Sequence, residues 1–278
     1  MKIRQLPEFE RMSVLAAMIL LAYVMVRFVD LPTRTLELQF VGLFIGIELN
    51  ANTIVTLLVA GLVITGVDWL IRQHPEKSET STFQHWVLPG LTAWILGITL
   101  NALPLDLLWW MVLIVGAGLL LLVLTAEYIV VDPSEARYPL ATMGLTALSF
   151  ALYFILAVVL RSEQVRLVFL LPALSLPVGA INLRHLYLRL NSLNIFSTEN
   201  AMNAIFASLT STIISAQLTA ALHYWPLTPV QFGLALLGAV YALNSLLGNL
   251  TEEKTFSQAW VEPAIILLAI WGIAFLFR

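Results

Sequence analysis

This sequence specifies an all-α integral membrane protein, and three properties carry that reading. The chain of 278 residues is 60% hydrophobic and only 11% charged. Its mean hydropathy is +0.90, well outside the range of ordinary soluble domains. About nine apolar stretches approach the roughly 20 residues that a helix needs to cross the hydrocarbon core. Lipid offers no hydrogen-bond partner to the backbone, so these stretches must be helices. The chain therefore reads as one transmembrane domain over 1–278, a bundle of about nine helices with a small external β-hairpin.

The spans fall at 12–28, 52–71, 85–103, 105–128, 139–160, 166–183, 200–222, 229–249 and 259–277. The first follows a polar, basic N-terminus. No small-residue cleavage site closes it, so it reads as a retained signal anchor. The segment LELQFVGLFIGIEL, from Leu36 to Leu49, is apolar but not a span. Its apolar residues alternate with Glu37, Gln39, Gly46 and Glu48 around Gly42, which favours a hairpin over a short interfacial helix. Pro172 and Pro177 predict a kink in the sixth span.

An odd number of spans puts the termini on opposite sides. Nine basic residues (Lys2, Arg4, Arg11, Arg72, Lys77, Arg137, Arg184, Arg189 and Lys254) then share the N-terminal side, against five on the other. The positive-inside bias places the N-terminus in the cytoplasm and the C-terminus outside. Trp109, Trp110, Tyr224 and Trp225 sit at the outer boundary, where interfacial aromatics gather.

An internal repeat is suggested by Leu103-Pro104-Leu105 and Trp225-Pro226-Leu227, each joining two spans. Gly116-Ala117 answers to Gly238-Ala239 at the same offset. The chain then divides into an anchor and hairpin (1–51) and two parallel four-helix repeats, 52–165 and 166–278. Chance matching of Pro-bounded helical hairpins is the competing explanation.

Several chemistries are excluded. No Lys lies within a span, so a retinal Schiff base has no amine. No phosphate-binding loop, dinucleotide fingerprint, HExxH or GxSxG occurs. The absence of cysteine removes thiolate metal sites. A net charge of −3 gives no footprint for nucleic acid. No metal site and no cofactor can be specified from the residues.

The candidate chemical residues are three carboxylates within or beside spans: Asp68, Glu127 and Glu262. Ionisable groups in a bilayer are costly, which makes them functional candidates. They supply the acid/base or metal groups if the chain is an intramembrane enzyme acting on a lipid or isoprenoid. Each has a structural alternative. Asp68 can pair with Arg72 one turn on, and Glu262 sits where acids favour a helix start. Glu127 follows an unbroken apolar run and is expected to face the bundle interior.

The candidate binding residues are Asn203, Thr210 and Gln217 in the seventh span. Their seven-residue spacing puts them on one face. They read as the wall of a pocket between the repeats, as in a transporter or lipid-binding protein. The competing and favoured reading of this polar helix is packing through small and hydroxyl residues. Asn182 and Asn244 suit either arrangement.

Three stretches together carry a resemblance: NTIVTLLVAGLVITGVDWL at 52–70, AEYIVVDP at 126–133 and ALHYWPLTPVQFG at 221–233. They resemble an uncharacterised family of multi-spanning membrane proteins from Chloroflexota and related bacteria, over nearly the whole chain. The resemblance implies a bacterial inner-membrane location and no assigned activity. The expected partners are the lipid bilayer and a membrane protein or lipid ligand. The leading functional expectation is binding, assembly or scaffolding in that membrane.

Overall fold

A computed structural model describes residues 9–28, 34–40, 43–49, 51–72, 82–193, 195–252 and 255–276. The chain divides into two compact units. One holds Met1–Thr82 with Pro89–Asp132; the other holds Phe83–Leu88 with Pro133–Arg278.

The first unit begins with α1 (Phe9–Arg27). Strands β1 (Arg34–Phe40) and β2 (Leu43–Leu49) follow, paired antiparallel from Arg34↔Leu49 to Phe40↔Leu43. Gly42, the expected turn residue, lies outside the described residues. Then come α2 (Ala51–Arg72), α3 (Val87–Ala102) and α4 (Leu107–Val130). Helix α1 packs on α2 and α4, burying Ile19, Val63 and Leu120. Polar atoms in this core find carbonyls. The Tyr23 hydroxyl donates to Ala93 O at 2.5 Å, and Trp109 Nε1 donates to Leu100 O at 3.0 Å. The Leu103-Pro104-Leu105 turn is tight because Asp106 caps α4, its side chain accepting from Trp109 N at 3.1 Å.

The second unit opens with a 3₁₀ turn, Phe83–His85. It continues through α5 (Tyr138–Ser162), α6 (Leu167–Ser192), α7 (Thr198–His223), α8 (Pro229–Thr251), the single-turn α9 (Phe256–Ala259) and α10 (Val261–Leu276). Helix α6 packs most extensively on α7, while α8 contacts α5, α6, α7 and α10. Ser197 caps α7, and Thr228 with Gln231 forms a reciprocal capping box on α8.

Among the described residues, seven helices are long and apolar enough to cross a membrane by themselves: α2, α4, α5, α6, α7, α8, and α9–α10 taken together. The expected nine also counted α1 and α3. Helix α1 has 19 residues, Phe9–Arg27. Helix α3 has 16 residues, about 24 Å at 1.5 Å per residue, against a hydrocarbon core of roughly 30 Å. Helix α6 corrects the expected end at residue 183. It continues to Ser192 because Leu186, Leu188 and Leu190 keep burying apolar surface beyond Arg184. Both prolines lie inside this single helix, and each leaves one carbonyl, of Val168 or Ala173, without its usual intrahelical donor.

Candidate functional site

The richest polar arrangement lies between the C-terminal halves of α6 and α8. Asn244 Nδ2 donates to Asn182 Oδ1 at 2.7 Å, with both residues buried. The Nδ2 of Asn182 has no hydrogen-bond partner among the described residues. Nearer the helix ends, Arg189 pairs with Glu252. Gly248 makes room for that pair: a Cβ there would land on the Arg189 guanidinium and 3.4 Å from His185 Nε2. Asn249 Nδ2 donates to Ala259 O at 3.1 Å, fastening α9 to α8. In the 3₁₀ turn, Gln84 Nε2 lies 3.2 Å from His85 Nε2. The Asn182–Asn244 and Arg189–Glu252 pairs join α6 to α8 and were missed as pairs from sequence. Each spans more than sixty residues, and no local spacing signals such a contact.

The three candidate carboxylates have different surroundings. Asp68 accepts from Arg72 Nε and from Thr82 Oγ1, both at 2.6 Å. It closes the last turn of α2 and ties it to the chain at Thr82, the structural role weighed above. Glu127 lies in the interior of α4 at 1% exposure. Glu262 is exposed in the first turn of α10, where the free N–H groups of a helix start favour an acid. Among the described residues, no three His, Asp or Glu side chains gather in a group able to hold a metal.

Helix α7 has two polar faces of different kinds. The buried face carries Ala204, Ser208, Ser211, Ser215 and Thr219 at helical spacing. It lies against α6 closely enough that a Cβ on Gly179 would land on the Thr212 hydroxyl and 3.4 Å from Ser208 O. Hydroxyls here bond back along their own helix, Ser208 to Ala204 O at 2.7 Å and Thr212 to Ser208 O at 2.9 Å. Asn203, Thr210 and Gln217 do share a face, but it is the exposed one.

Arg161 is a further residue that sequence reading passed over. Its guanidinium donates to His223 O at 3.2 Å and Trp225 O at 3.4 Å, and it lies 5.2 Å from the Phe232 ring centroid. It thus satisfies carbonyls at the end of α7. A crevice of about 390 Å³ between α1 and α2 is lined by Met12, Val14, Leu15, Met18, Gly66, Trp69 and Leu70. It is overwhelmingly apolar and offers no charged group to orient a ligand.

A family model described as a protein of unknown function, DUF5656, matches residues 31–277. No curated protein and no solved structure matches the chain.

Proposed function

The chain belongs to the DUF5656 family, and from that premise we propose that it is a multi-pass protein of a bacterial inner membrane whose role is binding and assembly. The family's bacterial range includes Chloroflexota. With α1 and α3 crossing as shorter passes beside the seven long ones, the N-terminus lies in the cytoplasm and the C-terminus outside, with the β1–β2 hairpin external. The observation that supports the reading is how the second unit uses its polar groups. Asn182–Asn244, Arg189–Glu252, Asn249–Ala259 and Trp271–Ala235 all join helix to helix. Meanwhile Asn203, Thr210 and Gln217 face outward. Polar groups spent on helix packing, with further amides left facing out, suit association with another membrane helix.

The test is cross-linking in native membranes with photoactivatable leucine incorporated throughout the chain. One discrete species heavier than the 30.9 kDa chain is expected. A monomer at every light dose overturns the assembly role. Reporter fusions after residues 77 and 278 check the orientation, and a shared side refutes it.

A further inference from the structure

The outward face of α7 differs from those of the other long helices. Along its middle turns α4 exposes Met111, Ile114, Val115 and Leu122. Helix α5 exposes Leu140, Met143 and Ile155, and α10 exposes Ile265, Leu268 and Ile273. Helix α7 exposes Phe206, Leu209 and Ile213 as well, but sets Asn203, Thr210 and Gln217 among them. Thr210 spends its hydroxyl on Phe206 O at 2.9 Å. The amides of Asn203 and Gln217 make no hydrogen bond among the described residues.

Depth makes this costly. The 26 residues of α7 span about 39 Å, so a roughly 30 Å hydrocarbon core leaves about 4–5 Å outside at each end. Asn203 lies about 8 Å from one end and Gln217 about 9 Å from the other. Both backbones are therefore inside the core, where an amide without a partner is unfavourable.

We infer that this face is the seam of a parallel homodimer in which α7 packs on α7 of a second copy. The inference rests on the assembly role proposed above and names its partner. Every copy of a multi-pass protein enters the bilayer in one orientation. A twofold axis relating two copies then runs along the membrane normal, the two α7 helices run parallel, and identical residues meet at identical depth. Asn203 meets Asn203 and Gln217 meets Gln217. An amide carries both donor and acceptor, so each such pair satisfies itself. The seven-residue spacing keeps all three polar positions on the seam of two helices crossing left-handed at about 20°. Thr210, small and already satisfied, lets the backbones approach at the midpoint. No charged residue occurs on α7 between Glu199 and His223, so nothing on the seam repels its own copy.

The chain contains no cysteine, which makes the test direct. Thr210→Cys, oxidised in membranes with copper–phenanthroline, gives a covalent dimer. Leu268→Cys, on the exposed face of α10, gives none. No cross-link at position 210, or equal cross-linking at both positions, overturns the seam. In diluted bilayers, Asn203→Leu with Gln217→Leu weakens dimerisation about tenfold or more, measured by energy transfer between labelled copies. Both changes are compatible with insertion, so an unchanged affinity also refutes the inference. A heavier species that holds only one copy of this chain keeps the assembly role and removes the homodimer.

Discussion

Replacing Asn244 by Leu tests whether the α6–α8 amide pair holds these helices together, and the structure sets the size of the effect. In the native unit, Asn244 Nδ2 donates to Asn182 Oδ1, while Asn182 Nδ2 is already without a partner. Asn244→Leu removes the one bond and leaves both polar atoms of Asn182 unsatisfied at 0% exposure. The loss of a bond plus a newly orphaned buried acceptor costs about 1–3 kcal/mol. Membrane helices sit toward the lower end, because the unpacked helices also find partners. Asn182→Leu behaves differently. It orphans Asn244 Nδ2 but deletes the native orphan, so the number of unsatisfied buried donors does not change. It costs less, about 1 kcal/mol. The double replacement removes both partners and approaches neutrality, which makes the pair strongly non-additive. The assay is reversible unfolding by sodium dodecyl sulfate titration in bicelles, applied to all four variants. Additive losses, or a larger cost for Asn182→Leu than for Asn244→Leu, refute the reasoning.

The close approach of α6 and α7 predicts that Gly179→Ala destabilises by about 1–3 kcal/mol. Adding Thr212→Ala recovers most of the loss in the same titration, since the Thr212 hydroxyl is the atom the new methyl meets first. Thr219→Val keeps the shape of a side chain whose buried hydroxyl has no partner among the described residues. It leaves thermal stability unchanged or raises it, and a fall of more than about 1 kcal/mol means that the hydroxyl is hydrogen-bonded after all.

Local features of the sequence were the readable ones. Apolar runs located every long helix. The Asp68–Arg72 pair follows from spacing alone. Length was read less well, because hydropathy does not measure how far a helix continues. Helix α3 is shorter than the usual hydrocarbon thickness, and α6 runs past Arg184 on three buried leucines. The faces of α7 show a different limit. Spacing establishes that Asn203, Thr210 and Gln217 lie together, and equally that Ser208, Ser211, Ser215 and Thr219 do. Which set meets α6 depends on a neighbour distant in sequence, and the small Gly179 on that neighbour decides it. The pairs Asn182–Asn244 and Arg189–Glu252 were hidden for the same reason.

The back-bonded hydroxyls of α7 bear on the order of events in biogenesis. Ser208, Thr210, Ser211 and Thr212 each donate to the carbonyl four residues earlier. Such a bond is made within the helix itself and is present as soon as the helix exists. These residues can leave the translocation machinery and enter lipid alone, with no neighbour waiting to receive them. An amide has no such recourse, because its second polar atom still seeks a group on another chain segment. Hydroxyl and amide therefore divide the labour in time. The hydroxyl turns let α7 insert early, and Asn203 and Gln217 leave an unmet demand that only a later encounter can satisfy.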